Sequence, residues 1–221
     1  MDILEAVKLR HSVRAYTQQP IEREKIDALQ QEINKINKDS SLNIQIVTND
    51  PDAFNTMTAH YGKFSNAVNY IAIVGKKSKD QDTECGYYGE RLVLLCQMLG
   101  LNTCWVGLTY NKKKNKIKIN QDEKLICVIA FGYGVSQGND HKRKSFEQVT
   151  KNAQNAPDWF KKGVECALLA PTAINQQKFR FSINGNKVKL EKRLGFYAKI
   201  DLGIVKYHFE IAAGKDNFIW E

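Results

Sequence analysis

Apolar positions recur along this chain with two periods, one helical and one extended. Ile3, Ala6 and Val7 share one helical face. Asp2 with Glu5 three residues on makes a capping-box start, so a short helix is expected to stop near Leu9 or Arg10. Pro20 opens a second predicted helix, striped by Ile26, Leu29, Ile33 and Ile36. Leu42, Ile44 and Ile46 then alternate with polar residues, as in a half-buried strand. After the break at Asp50-Pro51, Ala53 to Tyr61 reads as a helix, and the continuous run Tyr70–Val74, ended by Gly75, reads as a buried strand. A strong helix follows over Glu84–Leu99, with Tyr88, Leu92, Leu95, Cys96 and Leu99 inward and Gly100 as its stop. Asn102–Val106, ending at Gly107, and Leu125–Phe131, closed by Gly132-Tyr133-Gly134, are further strands.

The pattern starts afresh near Ser145. Phe160–Ala170 is an amphipathic helix halted by Pro171. Phe179, Phe181 and Ile183, then Val188 and Leu190, form two alternating strands joined by Asn184-Gly185, a strong hairpin signal. A last helix is expected over Asp201–Ala213, ended by Gly214. Strands alternating with helices point to a mixed α/β sandwich of sheet and helices. The tail, under about 70 residues, is a marginal core by itself and is expected to complete the sheet and helices of the first part.

Composition narrows the class. The chain has 221 residues, 43% of them apolar, which suits a folded domain rather than a disordered segment. Cys85, Cys96, Cys104, Cys127 and Cys166 are odd in number, lack any C-x-x-C and mostly lie in apolar runs, so they read as reduced, structural thiols in a cytoplasmic protein. No signal-peptide pattern opens the sequence and no apolar run approaches the roughly 20 residues that span a bilayer, so no membrane partner is expected. The net charge is +9, part of it in Lys112–Lys118, which lacks interleaved aromatics and reads as a solvated loop rather than a nucleic-acid site. His11, His60, His141 and His208 show no metal-ligand spacing, and neither a G-x-G-x-x-G nor a P-loop motif occurs.

One pentapeptide carries candidate chemistry. Arg10-His11-Ser12-Val13-Arg14 places two guanidiniums and a hydroxyl just after the first helix. If the segment is extended, positions 10, 12 and 14 share a face and make a compact anion seat. The alternative is a solvated basic turn.

Several motifs together resemble the FMN-dependent nitroreductase family. The opening Ile3–Tyr16 is similar to its N-terminal helix and R-x-S-x-R phosphate segment, and Leu99–Gly107 to its "lGLgTcWvG" strand. Phe131-Gly132-Tyr133 is similar to a glycine-tyrosine strand end, and Lys142-Arg143-Lys144-Ser145-Phe146-Glu147 to a basic segment. Ala170-Pro171-Thr172-Ala173-Ile174-Asn175-Gln176-Gln177 resembles the family's A-P-S-x-x-N-x-Q flavin-edge loop, and Asp201-Leu202-Gly203 a second copy of its D-x-G helix start. In typical members the flavin-edge loop lies near the N-terminus, so this order resembles a less common variant of two fused nitroreductase-like halves, about 1–150 and 151–221, in one domain.

The resemblance implies a nitroreductase-like α+β fold and a homodimer with FMN at the subunit interface. It implies ping-pong chemistry, with NAD(P)H delivering hydride to the flavin before an electron-poor nitroaromatic or quinone takes its place. Arg10, Ser12, Lys142 and Arg143 are the expected phosphate donors, with His11 beside them. Arg14 and Lys63 are the candidate cations for the N1 and O2 edge. Val106 and Gly107 would sit against the ring, the Gly107 N–H reaching N5. Pro171, Thr172, Ala173, Asn175 and Gln177 would line the ring's pyrimidine edge. Alternatives on the same fold are a reductive dehalogenase, a flavin-consuming enzyme or a flavin sensor without turnover.

Overall fold

A computed structural model describes residues 1–55, 63–78, 81–111 and 116–221. Two compact units divide the chain, each assembled from separate stretches: residues 9–81 with 92–139, and residues 1–8 with 82–91 and 140–221.

The first of these units is built on an antiparallel sheet of strands β1 (Leu42–Val47), β2 (Tyr70–Lys76), β3 (Asn102–Val106) and β4 (Glu123–Gly132), in the order β1-β2-β4-β3. Because β2 lies between β1 and β4, its whole apolar run from Tyr70 to Gly75 is buried, as its unbroken hydrophobicity predicts. Helix α2 (Arg23–Asp39) buries Leu29, Ile33 and Ile36, and its Asn37 amide satisfies both the N–H and the C=O of Ile44 in β1. It starts at Arg23 rather than at Pro20, since Glu22 before it is still extended. Residues 51–54 form a turn at the start of the helix expected over Ala53–Tyr61; its residues 56–61, His60 among them, lie outside the described residues.

In the other unit, α1 (Ile3–Leu9) begins where Asp2 caps it: its carboxylate accepts the Glu5 N–H at 2.8 Å. The C-terminal strands do not extend the first sheet, as was expected of them. Strands β5 (Thr150–Lys151), β6 (Phe179–Asn184), β7 (Lys187–Lys192) and β8 (Ile219–Trp220) form a mixed sheet of their own, in that order. The β6–β7 hairpin turns at Asn184-Gly185, where Gly185 takes φ +60°. One face of it meets α5 (Asp158–Ala167), which follows the short α4 (Phe146–Val149), and α6 (Ala198–Ala213) through a cluster of rings, with Phe181 stacked on Phe209 at 4.9 Å and Phe160 edge-on to both. The tail also borrows residues 82–91 of helix α3 (Gln81–Met98) for its core, which answers its short length. There α3 and α6 come into backbone contact at Gly86 and Gly203, where an added Cβ would lie 2.0 Å from Ile200 O and 1.9 Å from Thr83 O. Behind them Glu90 and His208, both wholly buried, face each other at 2.8 Å. The architecture is α+β, with one antiparallel and one mixed sheet.

Candidate functional site

The Arg10–Arg14 pentapeptide leaves its helix and runs extended along β3. Ser12 bridges Thr103 in parallel, and the Val13 N–H donates to Thr103 O at 2.9 Å. Farther on, Ala15 pairs with Ser65 and Tyr16 with Gly134. Val13 and Tyr16 turn into the core, while Ser12 and Arg14 are exposed and Arg10 is buried. Two glycines press on this strip: a Cβ at Gly138 would meet His11 Cβ at 2.7 Å, and one at Gly134 would meet Val13 Cγ1 at 2.9 Å. Asn102 fixes the turn behind them, accepting from Gly134 N and donating to Gln137. His11 contacts the Leu9 carbonyl through Nδ1 at 3.0 Å, closing the helix end.

Burial pushes the Cys104 thiol up, while Arg14, Arg10 and a hydrogen bond from Ser12 oppose that rise. Ser12 and Arg14 are exposed on either side of the buried Val13, the alternation an extended strip gives, and Arg10 is buried. Burial likewise pushes the Tyr16 hydroxyl up, and this hydroxyl donates to Val13 O at 2.7 Å. Two residues after Lys63, the Ser65 N–H donates to Arg14 O at 3.0 Å, and the Tyr16 N–H donates to Ser65 O. Lys63 is exposed, with φ +58°. Val106 is buried at the end of β3 and Gly107 follows it. Of the expected neighbours of Lys63, Tyr61 and Gly62 lie outside the described residues, as do Lys112–Lys114 of the basic run. Lys118 of that run is tied by backbone to the Gln45 amide, at 2.7 and 2.9 Å.

Residues 140–177 form a second cluster in the other unit. Lys142 is exposed, and its carbonyl accepts from both Asn175 Nδ2 and Gln177 Nε2 at 2.9 Å. Gln177 Oε1 accepts the Lys144 N–H at 2.9 Å, so this buried amide is engaged at both ends inside the protein. Arg143 is paired with Asp140. The Lys144 ammonium bonds the carbonyls of Gln176 and Gln177 and is pulled down by burial, then by Lys178 and Arg193. The basic segment and the amide-bearing loop are thus stitched together, largely through backbone groups. Pro171, Thr172 and Ala173 lead into a tight turn; Thr172 Oγ1 accepts the Gln177 N–H at 3.1 Å, and Ile174, Asn175 and Gln177 all take left-handed φ, near +50°.

Sequence reasoning passed over the residues that hold this turn. Asp201, 4% exposed in the first turn of α6, accepts from Ala173 N at 2.9 Å and from Gln176 Nε2 at 2.7 Å. Its only signal was the D-x-G motif. Burial raises the Asp201 carboxyl from 3.8 to about 6, against those two hydrogen bonds. The folded protein therefore keeps a proton here that the unfolded chain releases, so this group's contribution to stability is full below the unfolded value and falls as pH rises toward 6. Melting temperatures followed across that window should fall more for the native protein than for Asp201→Asn, which carries no titrating group there.

Among the described residues no group of three or more His, Cys, Asp or Glu is placed to hold a metal ion, and no helix is long and apolar enough to cross a membrane.

Comparison with known proteins gives these clusters a context. A family model described as "Putative TM nitroreductase" matches residues 2–213. A solved structure from Thermotoga maritima, titled a "putative nitroreductase", superposes with a TM-score of 0.70 at 24% identity, covering 96% of this chain and 83% of that one. A "putative nitroreductase in complex with fmn" from Desulfovibrio desulfuricans gives 0.55 at 18% identity, over 67% of this chain and 95% of its own. A "Putative NADH dehydrogenase/NAD(P)H nitroreductase" from Parabacteroides distasonis gives 0.53 at 22%, over 68% and 97%. These structural likenesses are likenesses of fold. No curated protein matches at a significant level. With the family model covering nearly its whole length, the chain belongs to this nitroreductase family.

Proposed function

We propose that the protein is an FMN-dependent oxidoreductase of nitroreductase type, taking hydride from NAD(P)H and passing it to a small electron-poor acceptor such as a nitroaromatic or a quinone. The observation that carries this reading is the strip of Arg10, Ser12 and Arg14, which leaves α1 and runs extended along β3, with Ser12 bridged to Thr103 and the Val13 N–H donating to Thr103 O. That donor set fits FMN: two guanidiniums and a hydroxyl suit a phosphate and an electron-rich ring edge. The match to the family and the FMN complex of a fold neighbour agree with it.

In this reading Arg10, Ser12, Lys142 and Arg143 are the phosphate donors, and His11 shapes the helix end beside them. Lys142 brings an exposed ammonium, whereas Arg143 would have to be shared with Asp140. Arg14, whose carbonyl accepts the Ser65 N–H, and Lys63, two residues before Ser65, supply positive charge for the N1 and O2 edge. Val106 and Gly107 back the ring, with the missing β-carbon allowing close approach. Pro171, Thr172, Ala173 and Asn175 offer the pyrimidine edge a mix of backbone and side-chain groups, and Gln177 braces them from behind. The bound flavin supplies the hydride uptake and release; the chain's residues seat it and place fixed charge where charge develops.

We further propose a homodimer in the cytoplasm and a chain of two fused nitroreductase-like halves, about 1–150 and 151–221. Two fold neighbours match over about two thirds of this chain and nearly all of themselves, so this chain carries a stretch beyond what they hold.

The test is reconstitution with FMN followed by anaerobic addition of NADH or NADPH. A yellow protein bleached by either donor is expected, and a protein that takes up no FMN would sink the proposal. Arg14→Ala, which removes an exposed charged donor, should weaken FMN about tenfold to a hundredfold in a fluorescence titration.

A further inference from the structure

We propose that Asp201 is a positioning residue whose carboxylate ties the 171–177 loop into the left-handed turn it needs to meet the flavin. The inference rests on the FMN reading above and adds to it a residue that touches no part of the cofactor.

The tie has two ends. Asp201 Oδ1 accepts the Ala173 N–H at 2.9 Å, and Oδ2 accepts Gln176 Nε2 at 2.7 Å. The same Gln176 amide donates to Phe196 O at 2.5 Å, and its Oε1 lies 2.4 Å from where a Cβ on Gly195 would stand. An acid from α6, an amide from the loop and a gap left by a glycine therefore lock together.

What lies between the two tied residues is strained. Ile174 takes φ +47° and ψ +27°, and Asn175 takes φ +53°. Left-handed backbone is uncommon for any residue with a β-carbon and an outlier for a β-branched one, so it persists only where its surroundings impose it. Ile174 gains no packing in return, being 89% exposed. Asp201 meanwhile is held in a buried place that disfavours its charge, as the rise of its carboxyl to about 6 shows. A plain link from α5 to β6 requires neither a strained isoleucine nor a buried acid. Both are explained if the shape of this turn matters to a ligand.

Asp201→Asn separates this role from ordinary stabilisation. Asparagine keeps an acceptor for Ala173 but turns an NH2 toward the NH2 of Gln176, which breaks one end of the tie. In the cofactor-free protein, amide hydrogen exchange over 172–177 should speed up about tenfold, the loss expected from one hydrogen bond to a charged group. FMN affinity should weaken about tenfold for the same reason, with a melting temperature at neutral pH equal to or above that of the native protein. Gln176→Ala cuts the tie from the other side and should show the same faster exchange and weaker binding; it decides the question if Asp201→Asn does not fold. Native exchange in the loop, native FMN affinity in a loosened loop, or faster exchange throughout the molecule with a lowered melting temperature would each overturn the proposal. A native protein that binds no FMN instead overturns the functional reading and leaves the tie to be judged on exchange alone.

Discussion

Gly203→Ala should destabilise the protein by about 3 kcal/mol or more, the upper end of what overpacking costs. Position 203 is inside α6, where helix propensity alone predicts a gain of up to about 1 kcal/mol for this change. The two arguments have opposite signs, and packing decides. A methyl group on Gly203 would stand 1.9 Å from Thr83 O and 2.6 Å from Tyr87 N, both backbone atoms of α3 that cannot swing aside. The reciprocal contact at Gly86, whose Cβ would meet Ile200 O at 2.0 Å, should make Gly86→Ala comparably harmful. Urea titration of each variant checks this; a neutral or stabilising Gly203→Ala would mean the two helices are not held at backbone contact. The D-x-G motif then divides cleanly: its glycine admits α3, and its aspartate, two residues earlier, reaches the 171–177 loop.

Elements whose pattern is local were legible in the sequence. The Asp2 cap, the α2 stripe, the buried run of β2 and the Asn184-Gly185 hairpin all follow from residues within one turn or one strand of each other. Expectations failed where partners came from far away. The tail strands read correctly as strands, but nothing in them tells whether they extend an earlier sheet or form a second. That depends on α5 and α6 covering their phenylalanine face and on two-residue strands at 150–151 and 219–220, which are too short to leave a pattern. Helix starts also slipped, since α6 begins at Ala198, after a left-handed Tyr197 that no cap pattern announces.

The candidate site shows the same divide. Residue types suited to anions could be picked out at Arg10, Ser12 and Arg14, and period two matches the exposure of Ser12 and Arg14 on either side of the buried Val13. What could not be read is how the polar groups of the later loop are used. Gln177, with donor and acceptor groups fit for a ring edge, is buried and engaged by Lys142 and Lys144. Arg143 is matched by Asp140, three residues away and visible only once the chain turns. The groups that shape the loop, Asp201 and the Gln176 amide, carried no pattern beyond a three-residue motif. Composition finds donors, and only the fold shows which of them are already committed.

The wholly buried pair of Glu90 and His208 sets the other large expected effect. His208 Nδ1 faces the Cys166 carbonyl at 3.2 Å, and a carbonyl can only accept, so Nδ1 carries a hydrogen. Nε2 then meets Glu90 Oε1 at 2.8 Å with a single proton between the two groups, whichever holds it. Removing one partner leaves the other desolvated without that proton bond, so Glu90→Ala and His208→Ala should each cost about 3–5 kcal/mol. Glu90→Gln should cost far less, near 1 kcal/mol, because its amide N–H can donate to an unprotonated Nε2 and keep the bond. The doubly apolar variant Glu90→Leu with His208→Leu should recover much of the loss, since no buried polar group is then stranded. Denaturant titrations of these four variants give an order of stabilities that tests the assignment. Equal losses for Glu90→Ala and Glu90→Gln would show that the carboxylate charge itself, rather than the shared proton, is what the core of this unit requires.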